Sequence, residues 1–361
     1  MSSLPPRLLR ALPLLAIAAI LFFLAGAFAW TAGWIPGQRL TAQRFTDALE
    51  AGNGGIHPGF RRAHAKGVCI SGRFVSSGAG AALTRAGMLA PGAVTPVLGR
   101  LSIGGGDPHA PDATTRVRSM GLLLSSANGQ QWRMAMNNFP FFAVSTPEAF
   151  YEQALANRPD PATGKPDPAK LAALLQRHPE IAKFQQWAKT APWPDSWGNT
   201  QFNGVNAFRF SDGRGKSHFV RWSMQPQLAF APMEAARRAE AEPDYLADDL
   251  RTRLARGPLR WDLVLTVAAD GDPITDPSQP WPSDRQRVVA GTLEIDAMQP
   301  QASGACRDVN FDPTVLPAGI APSADPVLAA RASVYAQSYN RREREIALGQ
   351  APDATAKERA R

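Results

Sequence analysis

Cysteine is nearly absent from this chain: its 361 residues hold two, Cys69 and Cys306. Two cysteines exclude a disulfide-framework domain and a four-cysteine zinc site, and there is no Cys-x-x-Cys-His for covalent haem attachment. Two readings of the pair stand, a disulfide in an oxidising compartment or two buried thiols, because sequence does not tell whether the Cα atoms lie within bonding range. Acidic residues are the minority among charges, 31 against 39 Lys and Arg, which leaves a net charge of +8. That excess does not point to nucleic acid, since the arginines are scattered and no basic helix or recognition motif accompanies them. No internal repeat is present.

One region lacks charge altogether, Ala11 to Trp30. A helix of that length, at ~1.5 Å per residue, covers roughly 30 Å, enough to cross a hydrocarbon core. Trp30 and Trp34 suit the membrane interface. The favoured reading is a transmembrane anchor over 11–34, with residues 1–10 kept in the cytoplasm by Arg7 and Arg10. Ala27-Phe-Ala29 fits the small-x-small cleavage pattern, so a removed signal peptide is the competing reading. Either one puts the core, residues 36–348, outside the cytoplasm. Residues 349–361 are small and charged and read as a disordered tail.

The rest has the composition of a globular protein, 44% hydrophobic and 19% charged, with length for one large core or two moderate ones. Gln38 to Ala51 is spaced as a short amphipathic helix ending at Gly52-Asn-Gly-Gly55. Strand-like runs follow at Lys66–Ser76, Thr95–Ile103, Val117–Ser126, Val205–Phe210, His218–Trp222, Trp261–Val267 and Arg287–Ile295. Asn128-Gly129, between Leu122-Leu-Leu-Ser-Ser and Trp132-Arg-Met-Ala-Met, is a strong hairpin signal. Helical inserts are expected at Pro147–Leu155 behind the Thr146 cap, at Lys170–Lys189 broken by His178-Pro179, at Met233–Arg256 and at Pro326–Leu348. Many antiparallel strands joined by hairpins point to a sandwich or a barrel.

Four motifs stand in order along the chain: Arg61-x-x-His-Ala-Lys-Gly67, Asn137-Asn-x-Pro140, Phe311-Asp-Pro-x-x-Leu-Pro-x-Gly-Ile-x-Pro-Ser323 and Arg331-x-x-x-Tyr335. The ordered set resembles the catalase family from about His57 to Arg342. The short length and apolar N-terminus are most similar to its catalase-related peroxidase branch. The resemblance implies an α+β fold, an eight-stranded antiparallel β-barrel with flanking helices and a b-type ferric haem at its side. It also implies a peroxidase that reduces hydrogen or organic peroxides with a small reductant, through a ferryl state. The alternatives on the same fold are a true catalase or a fatty-acid hydroperoxide rearranging enzyme, and behind them a haem-binding module without turnover. Membrane contact through the N-terminal helix, no nucleic acid, and a monomer or dimer complete the expected partners.

The resemblance also assigns roles. His64 is the distal base, whose ordinary pKa of about 6.5 lets it take a peroxide proton and return it. Asn137 orients the peroxide. Ser102 would hydrogen-bond His64 and fix its tautomer, and Phe150 would lie over the distal face. Arg61, Arg100 and Arg342 would meet haem propionates, which suits the paired donors of a guanidinium. Tyr335 would be the iron ligand, as tyrosine is in catalases. Arg331, four residues earlier on the same helical face, would favour its phenolate. His57, His109, His178 and His218 read as structural. The family's long N-terminal arm and its C-terminal flavodoxin-like domain have no evident counterpart. Arg118 stands where the family has a channel-lining aspartate, which predicts a more open peroxide route.

Overall fold

Strand formation begins at Gly67, where β-branched and large apolar residues start to alternate with small or polar ones. In the computed structural model, which describes residues 6–32, 34–35, 39–53 and 55–351, two units are distinguished, Met1–Phe45 and Thr46–Arg361. In the first lies α1 (Pro6–Thr31), and among the described residues Pro13–Thr31 is the one helical stretch long and apolar enough to cross a membrane. Its Leu14, Phe22, Phe23 and Trp30 are exposed rather than packed. Helix α2 (Ala42–Gly52) starts later than the Gln38 expected, and residues 36–38 lie outside the described residues. Of the expected tail, residues 352–361 likewise lie outside them.

The second unit is built on β1 (Gly67–Ser76), β2 (Val94–Ile103), β3 (Arg118–Ser125) and β4 (Gln131–Asn137), then α3 (Pro147–Ala156), α4 (Pro168–Arg177) and α5 (Ile181–Thr190). It continues with β5 (Phe202–Ser211), β6 (Ser217–Pro226), α6 (Ala235–Ala239), α7 (Tyr245–Leu254), β7 (Leu259–Val267), β8 (Arg287–Pro300), β9 (Ile320–Pro322) and α8 (Pro326–Ala347). The strands run β4-β3-β2-β1-β8-β7-β6-β5, and a pairing of Asn137 with Asn203 brings β4 to β5. This closes the expected eight-stranded antiparallel barrel. The inward residues, among them Ile70, Leu101, Leu122, Met134, Phe208, Trp261 and Leu293, are fully or almost fully buried. Closure leaves no long open edge; β9 adds a short pairing on β5 that no sequence pattern announced.

Local chemistry sets the helix ends. Thr146 accepts from the Ala149 N–H ahead of α3, and Asp167 caps α4 in the same way before Pro168. His178-Pro179 separates α4 from α5 as the sequence predicts, because Pro lacks the N–H and clashes with the turn before it. The single helical stretch expected over Met233–Arg256 is instead two helices with Pro243 between them, for the same reason. Asp325 caps α8 through Val327 and Leu328 and also accepts from Asn206 of β5, so this helix is pinned to the barrel wall at its start. The two cysteines are bonded: Cys69 of β1 joins Cys306, which lies in the turns after β8. The open question about their state is thereby settled as a disulfide.

Candidate active site

Three polar residues line up across neighbouring strands on the outer wall of the barrel: Ser102 of β2 pairs with Ser119 of β3, and Ser119 pairs with Asn137 of β4. Directly paired residues share a face. Against this row sits His64, on the loop before β1. Its φ of 55° makes it the one non-glycine residue with positive φ among those described. A non-glycine residue held there marks a site where surroundings dictate the backbone.

The His64 Nδ1 lies 3.2 Å from the Ile103 carbonyl and 2.9 Å from Ser119 Oγ. Ser119 gives its own proton to Asn137 Oδ1 at 2.5 Å. Both neighbours of Nδ1 therefore accept, so Nδ1 carries the hydrogen and Nε2 is left as the lone-pair nitrogen. Burial pushes the imidazole pKa down to about 4, and the Arg100 charge adds to this, so the ring is neutral at neutral pH. Asn137 uses its side-chain oxygen on Ser119, which leaves its NH2 for a ligand.

The serine at His64 is thus Ser119, not the expected Ser102. Ser102 is buried one strand further on, with its carbonyl accepting from Trp197 Nε1 at 3.2 Å. Strand register, which motif matching does not carry, decides between them. Arg118 lies on the other face of the same strand. Residues alternate along β3, so Arg118 faces inward with Met120 and Leu122, opposite to Ser119. It is fully buried and donates to Tyr245 Oη at 2.8 Å and to the Thr115 carbonyl at 2.6 Å, on the face of β3 opposite to His64 and Ser119. Phe150 packs on Phe142, ring centroids 5.0 Å apart, beside the α3–α5 cluster.

Helix α8 carries Arg331, Tyr335 and Arg342 at spacings that keep them near one face. Arg331 donates to Tyr335 Oη at 3.0 Å, to Asn206 Oδ1 at 2.7 Å and to the Ala135 carbonyl at 3.2 Å. Asn206, buried and tied by its amide nitrogen to Asp325 at 2.7 Å, was not visible as a site residue in the sequence. It sits on β5, far in sequence from any motif.

Arg100 and Arg342 are buried, and Arg61 is partly so. Burial lowers the pKa of all three; for Arg61 the charges of Arg100 and Arg342 add to it, and Arg100 is brought to about 9 by burial and Arg342. Guanidinium groups stay protonated in proteins, so these shifts express the cost of crowding positive charge. Within the cluster Arg342 Nε has no partner among the described residues, and the carboxylate of Glu343 lies 3.5 Å from Arg342 Nη2. Gly67 lets the Arg100 guanidinium lie on the backbone, where a Cβ would come within 2.8 Å of it. A dianionic, carboxylate-bearing group fits this cluster, and haem, with its two propionates, is such a group.

The family model described as Catalase matches residues 58–347. Catalase-related peroxidase of Synechococcus elongatus is 39% identical over 305 residues, 84% of this chain and 89% of the relative. Catalase-related peroxidase of Mycolicibacterium paratuberculosis is 34% identical over 304 residues, 84% and 95% of the two chains. Among solved structures, a bacterial catalase superposes with a TM-score of 0.70 at 22% identity, over 85% of this chain and 62% of the other. A fungal catalase does so at 0.71 and 20% identity, over 82% and 61%.

Proposed function

This chain belongs to the catalase family, and from that membership we propose that it is a haem peroxidase that reduces hydrogen peroxide or organic hydroperoxides with a small electron donor. It is an oxidoreductase acting on peroxide. The observation that carries the reading is His64, neutral and held in one tautomer, with Nε2 free and the Asn137 amide alongside.

With both cysteines bonded to each other, a haem here would be held without thioether links. Tyr335 would supply the anionic ligand, with Arg331 donating to its oxygen, while Arg61, Arg100 and Arg342 would meet the two carboxylates. When bound, haem supplies a ferric iron with an open position for peroxide and the capacity to hold its oxidising equivalents. The protein's own part is proton management. His64 Nε2 takes the proton from one peroxide oxygen and returns it to the departing one, a role that contributes roughly 10²–10⁴-fold. Ser119 keeps the other nitrogen protonated so that Nε2 stays a base. Asn137 holds the second oxygen through its NH2. Purified protein should show the spectrum of a high-spin ferric phenolate haem, and Tyr335→Phe should lose the haem or change that spectrum. An unchanged spectrum in the variant removes Tyr335 as the ligand.

The first helix supports an anchor with the core on the outer side, where a disulfide persists. Arg7 and Arg10 would hold the N-terminus inside. Fractionation and N-terminal sequencing of the mature protein test this; a soluble product that begins near Trp30 replaces the anchor with a signal peptide.

A further inference from the structure

The stretch Gln301–Phe311 follows β8 as a series of turns laid against the outer wall of the barrel. Short backbone bonds shape it, Gly304 N–H to the Pro300 carbonyl at 2.8 Å and Arg307 N–H to the Gly304 carbonyl at 3.0 Å. What fastens its middle to the wall is covalent, the bond from Cys306 to Cys69 on β1. Phe311 packs with the two cysteines as a small apolar cluster, and the Cys306 N–H lies 3.2 Å from Cys69 Sγ. Gly304 allows this closeness, since a Cβ there would stand 2.7 Å from Cys69 Sγ.

The same turns face the arginine cluster. Arg61 Nη2 donates to the carbonyls of Cys306, Arg307 and Val309 at 3.1, 3.2 and 2.8 Å. Gln301 accepts from Arg100 Nε at 2.7 Å and donates to the Ala65 carbonyl, next to His64, at 2.9 Å. Arg61 is pushed by the positive charges of Arg100 and Arg342, so the three carbonyls hold it in place against repulsion. Those carbonyls belong to Cys306 itself and to residues one and three positions after it.

We propose that the Cys69–Cys306 disulfide is a positioning element of the haem pocket: it fixes the turns that aim Arg61 and brace Arg100, so that opening it lowers the protein's hold on the haem carboxylates. The inference rests on the function proposed above. Opening is a thiol–disulfide exchange in which a dithiol supplies two electrons and two protons. The S–S bond becomes two thiols, and the dithiol becomes a disulfide. Both cysteines are buried, so the exchange requires the turns to lift. Linkage makes the effect reciprocal: whatever factor reduction costs in haem affinity, bound haem adds to the persistence of the disulfide.

Full-length protein in detergent, stripped of haem, is titrated with ferric haem before and after treatment with dithiothreitol, alongside the Cys69→Ser/Cys306→Ser variant. The expected result is a loss of affinity of about tenfold or more in both, the scale on which outer partners of cofactor ligands act. Arg61→Ala should lose a similar factor in the oxidised protein and little more in the reduced one, because both changes remove one device. Hydrogen exchange on the haem-free protein gives a reading independent of loading: amides of residues 304–309 and 61–64 should exchange faster after reduction. Equal affinities in folded oxidised and reduced protein overturn the inference, as do fully additive losses. If oxidised wild-type protein takes up no haem, the proposed function fails, and unchanged exchange in those two segments then overturns the positioning role separately.

Discussion

Ser119 Oγ lies 2.9 Å from His64 Nδ1, and the hydroxyl that holds the imidazole is itself fixed by Asn137. Removing it takes away the nearer of the two acceptors of the ring N–H and leaves the Ile103 carbonyl, at 3.2 Å, as the other. Ser119→Ala should keep haem and slow the first reaction with peroxide by about tenfold or more, the usual scale for a lost outer partner. Ser102→Ala should stay near wild type, since Ser102 meets Trp197 through its backbone carbonyl. Stopped-flow measurement of both variants decides which serine acts; the opposite ranking would return the role to Ser102.

The pH dependence follows from His64. Its pKa is lowered to about 4 by burial and by Arg100, so the base form is present throughout the neutral range. The rate with peroxide should be flat down to about pH 5 and fall below it, roughly tenfold per unit once the pH is under the pKa. His64→Gln should be slow and lack that fall. Stability moves the same way. The unfolded chain binds this proton below about pH 6.5, the folded one only near 4, so His64 makes stability rise with pH across that window. Acid melts of the haem-free protein should show this component, and it should vanish in His64→Gln.

Arg118 offers a test of barrel against channel. It is fully buried and bonded to Tyr245, with burial lowering its pKa and Tyr245 and Asp112 opposing that. Arg118→Asp should therefore destabilise the fold by about 3–5 kcal/mol, through a lost charged hydrogen bond and an unsatisfied Tyr245 hydroxyl. The ratio of oxygen release to donor oxidation in the surviving protein should not move. A stable variant with faster oxygen release would put Arg118 back on the peroxide route.

Much of the barrel could be read from the chain because strand runs, the Asn128-Gly129 turn and the Thr146-Pro147 helix start are local signals. His64, Asn137 and Tyr335 could be named because each sits in a short motif. Ser119 and Asn206 could not. Their importance comes from register, the pairing of Ser119 with Asn137 and the reach of Asn206 between Asp325 and Arg331. The inward placement of Arg118 is hidden for a related reason: a motif position does not state which side of a strand it faces. The disulfide needed three-dimensional proximity across a sequence separation of 237.

The last expectation is that donor oxidation exceeds dismutation. Both activities begin with the same cleavage of peroxide, so His64, Asn137 and Tyr335 do not separate them. What separates them is which molecule arrives next as electron donor, a second peroxide or an organic reductant. Hydrogen peroxide carries no net charge and is not drawn from a distance by the chain's own charge, whereas an anionic donor is drawn by a chain of net charge +8. Two further guanidiniums gather on one indole ring. Asn138, next to Asn137, donates to the Arg116 carbonyl at 3.1 Å, and the guanidiniums of Arg116 and Arg238 lie 5.2 and 4.4 Å from the Trp193 ring. Steering of this kind weakens once the Debye length shrinks from about 30 Å at 0.01 M salt to about 8 Å at 0.15 M. Carboxylate-bearing phenols should therefore be oxidised faster than neutral ones at low salt, and the difference should narrow as salt is added. Oxygen release should be slow and indifferent to salt. An oxygen electrode beside a donor-oxidation assay, run on one preparation at two salt concentrations, reads all three quantities. Vigorous oxygen release with negligible donor oxidation would make this protein a dismutase, and equal rates for charged and neutral phenols would remove the field from the argument.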